Sequence, residues 1–591
     1  MARILDAVSP VRRLGGYLFR YRWRYAAGVA CLAAATALAL GIPWTVKQAV
    51  DGLSRGQGGR VLAQHVGVIL LLAAGHGMFR LASRLAMVGA GQGTEHDVRR
   101  DLYLHFEQLP PAFYHRHRTG DLMSRATSDV AAVRMLAGFG SVMLVGTVLT
   151  FGGSLVAMWL IDPQLTLATI APFPLLIFLA KRFNHAVDRQ STAVQEQQGV
   201  LAAKVQENLA GMAVVRAYTM ERAEIARFGQ INREFLVRSA RLARTQAGFT
   251  PLIGLITGIG TLIILWLGGR AVVEERITLG ALVAFNGYLA HLAWPTIALG
   301  WMLASLRRGL AAMARIAEVL EAPPLAPAEA GSCGVPPAAP AGAAVEVRGL
   351  TFAHEAREPA LRDVDVLIPA GSLVAVVGPT GGGKSTLGAL IVRLFEPPRG
   401  SVFVDGVDVR AMPLRELRHL VAYVPQEPFL FSRSLRDNLG LAADAVGDGE
   451  VARAVAAAGL DRDVADLPQG LGTVLGERGI TLSGGQRSRA ALARALVADP
   501  RVLVLDDPFA AVDPDTECEI LTRLQAARAG RTTVIITHRL RAAARADWVV
   551  TLAGGRVVEQ GRHADLVGRG GLYARLWRLQ QIEDELERSE P

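Results

Sequence analysis

The sequence predicts an α-helical domain of six membrane spans, joined by a linker to an α/β domain. Three observations carry that reading. Residues 1–320 hold six apolar stretches, each near the roughly 20 residues that a helix needs to cross a hydrocarbon core. Residues 321–344 are rich in Pro, Ala and Gly and too poor in bulky side chains to pack. From Val345 to about residue 580, short β-rich runs alternate with helical ones, the rhythm of an α/β sheet. Residues 581–591 form an acidic tail.

The spans fall near 26–46, 62–82, 139–161, 164–180, 249–269 and 279–303, the fourth being short and holding two prolines. Arginines precede the first span without a small-residue cleavage site after it, so it reads as a retained span and not a removed signal. The connections after spans 1, 3 and 5 are brief. Those after spans 2 and 4, roughly 83–138 and 181–248, are long, dense in Arg and helical in periodicity. The positive-inside rule places them, the N-terminus and the α/β domain in the cytoplasm, with the chain in the cell (inner) membrane. Within the first long segment, Thr119-Gly120-Asp121 offers a turn and a helix N-cap. Two readings stand for this stretch and for 213–222: a plain turn between long helices, or an element held far from the bilayer to meet a cytoplasmic domain.

Composition narrows the classes. Hydrophobic residues make up 51% of the 591 and the formal charge is +10. The basic residues are arginines apart from Lys47, Lys181, Lys204 and Lys384. Cytoplasmic arginine accounts for the charge, and six spans exclude a soluble ATPase acting on DNA, so no nucleic-acid partner is expected. Cys31, Cys333 and Cys518 lie far apart, which argues against a disulfide framework or a zinc site.

The chemistry lies in the second domain. Leu373-Val374-Ala375-Val376-Val377 reads as a buried strand; Gly378-Pro379-Thr380-Gly381-Gly382-Gly383 as a flexible loop; Lys384-Ser385-Thr386 leads into a helix. Strand, Gly-rich loop and helix is the context of a phosphate loop: backbone N–H groups and the helix N-terminus meet the phosphates. Lys384 neutralises charge as a compact ammonium, and Ser385 offers a hydroxyl to Mg²⁺. Asp506 ends a second apolar strand, where its carboxylate reaches the Mg²⁺. Asp507 follows as the residue that orients or deprotonates the attacking water. An aspartate there stops about one bond short of a glutamate, and a misplacement of about 1 Å can cost on the order of 100-fold in rate. The expectation is a site that binds ATP well and hydrolyses it poorly. Gln426, after the strand at 420–424, is placed to ligate the metal and sense the γ-phosphate; His538, after the strand at 533–537, is placed to hydrogen-bond it. Leu482-Ser483-Gly484-Gly485-Gln486 opens a helix and supplies another N–H nest for an anion. The chain's own phosphate loop already has one, so a second copy of the fold is implied.

This ordered set, residues 378–386, Gln426, residues 482–486, Asp506 and His538 behind six spans, resembles an ABC exporter half-transporter of the multidrug and lipid-exporter type. The resemblance covers nearly the whole chain. It implies ATP and Mg²⁺ as cofactors, and two half-transporters paired head to tail in the bilayer. Each ATP then lies between the phosphate loop of one and the signature residues Ser483, Gly484, Gly485 and Gln486 of the other. It implies that 113–125 and 213–222 are coupling helices, that Asp513 links the two sites, and that a hydrophobic or amphipathic small molecule is the cargo. Two departures stand out. Phe352-Ala353-His354 replaces a Phe-x-Tyr pattern, leaving His354 to stack on adenine, and Asp507 resembles the degenerate member of a heterodimeric exporter. A homodimeric exporter, an importer of metal chelators on the exporter fold, and a regulatory ATP-binding protein are the alternatives.

Polar groups also fall in the spans: His65, His76 and Arg80 in or near the second, Asn286 and His291 in the sixth. They line a path through the membrane, or His65 and Arg80 lie at its interfaces and snorkel.

Overall fold

The computed structural model describes the chain apart from Met1, Gln57, 326–341, 355–357, 444–445, 477–478, 480, 510–511, 513, 527–529 and 590–591. Most of the expected linker and the Asp513 assignment therefore lie outside the described residues. The chain divides into two compact units: Met1–Gln108 with His117–Ala322, and Leu109–Arg116 with Pro323–Pro591.

The first unit is helical throughout its described elements. Arg22–Ser54 and Gly59–Phe106 are joined by a short connection and pack as an antiparallel hairpin. Thr119–Ile161 follows as helical turns in unbroken succession, and Phe173–Ala210, Glu221–Ile263 and Leu279–Glu321 complete the set of long helices. At 1.5 Å per residue the 48 residues of Gly59–Phe106 reach about 70 Å, more than twice the thickness of a hydrocarbon core. The helices thus run on well past their apolar portions, as the Arg-dense segments predict. Among the described residues, Arg22–Ser54, Gly59–Phe106 and Thr119–Ile161 are long and apolar enough to cross a membrane, and Gly258–Val273 and Leu279–Leu292 are shorter apolar helices.

Two expectations are corrected here. The stretch 164–180 is not one helix: Pro163–Ile170 ends, Ala171 and Pro172 turn, and Phe173–Ala210 begins. Pro172 and Pro174 lack the N–H groups that a continuing helix uses, and Pro174 fits the first turn of the new one, where no such bond is needed. Nor does Thr119 cap a helix. Arg118 occupies that position without a side-chain bond, Thr119 is already helical, and the Asp121 carboxylate accepts from Arg125 Nε at 2.9 Å instead.

Polar anchors fix the helix ends. Asp162 accepts the N–H of Leu165 at 2.9 Å, with Pro163 in the first turn. Asp51 reaches across to the start of Leu279–Glu321, accepting from Thr278 Oγ1 and from the N–H of Gly280, both at 2.9 Å. At Gly280 a Cβ would sit 2.2 Å from the Lys47 carbonyl, so only glycine lets the two helices meet there. Buried Arg125 donates to Asp121, to Glu318 and to the Arg315 carbonyl, tying distant turns of this unit together.

Among the described residues of the second unit, ten strands form two sheets: β1 (Val345–Ala353), β2 (Pro359–Ile368), β3 (Leu373–Val377), β4 (Val402–Val404), β5 (Val407–Asp408), β6 (Val421–Val424), β7 (Val502–Asp506), β8 (Thr532–Ile536), β9 (Trp548–Ala553) and β10 (Arg556–Gly561). The small sheet runs β2-β1-β4-β5 and is antiparallel. The larger runs β10-β9-β3-β8-β7-β6, parallel except for β10. Each residue of β3, β7 and β8 is buried, which explains their unbroken runs of Val, Ile and Leu. Ligands of such sheets bind beyond the carboxyl ends of the strands, and β3, β7 and β8 end at Val377, Asp506 and Ile536, one after another in the sheet. The helix Leu572–Ser589 continues through most of the stretch expected as an acidic tail.

Candidate nucleotide site

After β3 the chain turns through Gly378 (φ 142°), Gly381 (φ 79°) and Gly383 (φ 95°), backbone that residues with a Cβ rarely adopt. A Cβ on Gly378 would lie 1.9 Å from the Leu552 carbonyl and one on Gly383 2.6 Å from that of Ala360. Gly383 is the left-handed cap of the helix Lys384–Ile391, whose free N–H groups face the loop. Lys384 Nζ donates to the carbonyls of Gly378 (2.8 Å) and Pro379 (2.9 Å), which holds the ammonium inside the cradle. Burial pushes the Lys384 ammonium down, and the carboxylates of Asp507 and Asp506 oppose that shift.

The strand ends bring the acids to this loop. Ser385 donates to Asp506 Oδ1 at 3.0 Å, so a hydroxyl and a carboxylate converge on one point. These are hard oxygen donors of the kind Mg²⁺ takes, and Gln426 lines the same cavity of about 470 Å³. The residues present therefore fit the ion: Ser385 and Asp506 would hold it, and it would supply charge neutralisation at the phosphates. The other oxygen of Asp506 accepts from Tyr423 at 3.0 Å. Burial pushes the Asp506 carboxyl above its ordinary range, while the hydroxyls of Ser385 and Tyr423 draw it back.

Asp507 has left-handed backbone (φ 47°), tolerable for aspartate, and its N–H donates to the Ile536 carbonyl at 2.7 Å. Its Oδ2 lies 3.0 Å from His538 Nδ1. Its Oδ1 is buried with no hydrogen-bond partner among the described residues. Thr380, Lys384, Ser385, Gln426, Asp506, Asp507 and His538 thus line one cavity, although they come from four separate stretches of chain.

His354 lies outside that lining. It shares a 3.1 Å hydrogen bond with Thr386 Oγ1, and its ring meets Phe395 edge to face with centroids 4.8 Å apart. Ser483 caps the helix Gly484–Val497 in a reciprocal box: Gln486 N–H donates to Ser483 Oγ (3.2 Å) and Ser483 N–H to Gln486 Oε1 (2.8 Å). Gln486 Nε2 also donates to Asp463 at 2.9 Å. Gln486 is committed to the helix end, which leaves the Gly484 and Gly485 N–H groups as the candidate anion nest of this run. The structure does not bring residues 483–486 to the cavity of their own chain.

Sequence reasoning missed two groups. Tyr423 is found only through strand pairing, since the parallel register of β6 and β7 sets it opposite Val504, two residues from Asp506. Glu517, buried, accepts from Arg539 at 2.7 Å, and Arg539 also donates to the Val512 carbonyl at 2.8 Å. The pair braces the segment beside His538. An Arg directly after the motif histidine was the available signal.

In the membrane unit, His76, Arg80 and His291 line one cavity; His65 and Asn286 are not part of it. His65 bonds the Val61 carbonyl of its own helix.

Comparison with known proteins agrees with this geometry. Residues 25–296 match the model for the ABC transporter transmembrane region and residues 361–510 that for the ABC transporter domain. The chain is 32% identical to the probable multidrug resistance ABC transporter ATP-binding/permease protein YheI of Bacillus subtilis (strain 168), covering 97% of this chain and 98% of the relative. It is 33% identical to the multidrug resistance-like ATP-binding protein MdlA of Escherichia coli (strain K12), covering 97% of each. An ATP-dependent lipid A-core flippase of Syntrophus aciditrophicus (strain SB) is 30% identical over 95% of this chain and 93% of its own. Among solved structures, a bacterial Atm1-family ABC exporter with ATP bound superposes with a TM-score of 0.77 at 27% identity, over 95% of this chain and 99% of that one. The chain belongs to the ABC transporter family, as an exporter-type transmembrane domain fused to an ATP-binding ATPase domain.

Proposed function

We propose that the chain is one half of a heterodimeric exporter of hydrophobic or amphipathic compounds in the cell (inner) membrane, with its N-terminus and ATPase domain cytoplasmic. Its own phosphate-loop site binds Mg²⁺ and ATP and turns over slowly. Its signature, Ser483 with the Gly484 and Gly485 N–H groups, completes the competent site of a glutamate-bearing partner. The observation that carries this reading is Asp507, a carboxylate one methylene short, engaged by His538 at 3.0 Å. Gln426 and His538 serve that site as γ-phosphate contacts, His354 beside Thr386 packs toward the adenine, and Asp513 links the two sites. Relatives named for multidrug resistance and for lipid A-core flipping support an apolar or amphipathic cargo.

A slow homodimer is the second reading, favoured by the presence of both halves of a composite site in one chain and by the retained His538. The test is ATPase activity of the purified chain alone and of the chain co-purified with a second half-transporter carrying Asp-Glu at that position. Slow turnover alone and fast turnover together support the heterodimer. Brisk hydrolysis by the chain alone rejects it.

A further inference from the structure

Inside the membrane unit, a cavity of about 440 Å³ lies among the helices Arg22–Ser54, Gly59–Phe106, Ser141–Ile161 and Leu279–Glu321. Its size is within the range of small-molecule sites. Leu32, Leu40, Phe139, Val142 and Met143 give it an apolar body. Its ionisable lining residues are His76, Arg80, Arg84 and His291. Among the described lining residues no carboxylate answers them, and residues 22–50, 52–94, 130–161 and 276–317 contain no Asp or Glu. Asp51, Glu95, Asp97 and Asp162, at the edges of these stretches, are engaged with Thr278, Arg134, Arg20 and Arg276.

His76, Arg80 and Arg84 recur every four residues and so share one helix face. The geometry also fixes how the first two are held. His76 Nδ1 lies 2.9 Å from the Ala35 carbonyl, which can only accept, so that nitrogen carries the proton. Its Nε2 then accepts from Arg80 Nη1 at 3.5 Å. A neutral histidine thereby steers one guanidinium nitrogen and leaves the remaining donors of Arg80 for another acceptor. Guanidinium groups at membrane depth need an anion or water, and an apolar chamber with two of them attracts an anion that brings its own hydrocarbon.

Resting on the exporter reading, we propose that this chamber is a cargo site for amphipathic anions, in which Arg80 and Arg84 bind a phosphate or carboxylate headgroup and the Leu and Phe walls take the tail. A cationic amphiphile of the same shape is rejected there. The headgroup comes from a membrane lipid or from a free amphipathic acid.

The test is binding, so that it does not depend on hydrolysis at either ATP site. The full chain, in phosphatidylcholine nanodiscs, is titrated with 11-(dansylamino)undecanoic acid and with the alkylammonium analogue of equal chain length. The expected result is saturable fluorescence for the acid and at least about tenfold weaker binding of the ammonium compound. Arg80→Gln with Arg84→Gln weakens the acid about tenfold or more, while Arg80→Lys, which keeps the charge, retains most of the affinity. Melting temperatures of the variants, measured alongside, show that they remain folded; an unfolded double variant is replaced by Arg84→Gln alone. Displacement by oleoyl lysophosphatidate supports the proposal and assigns a lipid phosphate; saturable binding that lysophosphatidate does not displace supports it with a free acid as cargo. Equal binding of the two dansyl compounds, or unchanged affinity for the acid in the folded Gln variants, overturns it.

Discussion

At the scale of single residues, the proposed balance between binding and hydrolysis rests on Asp507. Its Oδ2 contacts His538 and its Oδ1 is buried without a partner among the described residues, so lengthening the side chain by one methylene has a direct consequence. Asp507→Glu is expected to raise ATPase activity about 10- to 100-fold, the scale attached to a displacement of about 1 Å. If the site is slow as proposed, Asp507→Ala should lower its rate only modestly, and both are read by phosphate release from the purified chain. Tyr423 tunes the neighbouring acid. Its hydroxyl stabilises the charged form of Asp506, whose carboxyl burial pushes up. Mg²⁺ needs that carboxylate ionised, so Mg-ATP affinity is lost as pH falls through the raised Asp506 value. Tyr423→Phe removes a stabilising hydrogen bond, raises the value further and moves the acid limb of binding to higher pH. Well above that range the carboxylate is ionised in both proteins and the two affinities should converge. Titrating nucleotide affinity against pH for both proteins checks it; coincident acid limbs reject it.

At the scale of elements, close contacts between helix ends set tolerance to change. Gly280 receives the Asp51 carboxylate on its N–H, and an added Cβ would press on the Lys47 carbonyl at 2.2 Å. Gly280→Ala is therefore expected to part the two helices, break both Asp51 hydrogen bonds and cost about 2–4 kcal/mol, combining overpacking with two lost bonds. Gly77→Ala, where nothing lies within 4 Å, is the matched control and should leave the melting temperature unchanged or slightly higher. Melting the full chain in detergent compares them. Elements also show where sequence reading succeeds. The phosphate loop, the buried strands and the long helices were legible because their signals are local: glycine spacing, an apolar run, a 3.6-residue period. The break at Ala171 and Pro172 was hidden by an apolar run that continues across it. Thr119 looked like a cap because residue type does not reveal that Arg118 holds the last non-helical position. Tyr423 could not be found without the β6–β7 register, which is a long-range fact.

At the scale of the whole molecule, the signature helix and the phosphate loop of one chain are separate parts. Residues 483–486 are absent from the lining of the cavity that Lys384 shares with Asp506, and in the proposed pairing their N–H groups serve the nucleotide of the other half-transporter. This distinguishes the two assemblies more sharply than either site alone. In a heterodimer, the fast site consists of the partner's phosphate loop and this chain's Ser483, Gly484 and Gly485. Ser483→Arg fills that nest with a bulky cation and removes the helix cap, so it should cut the ATPase of the co-purified pair to below about a tenth. Asp507→Ala touches only the slow site and should leave more than about half of the pair's activity, because the partner's glutamate still works. In a homodimer each chain supplies both elements to equivalent sites, so the two substitutions must fall together. Measuring the pair's turnover with each variant in this chain alone separates the cases, and equal losses would reject the heterodimer.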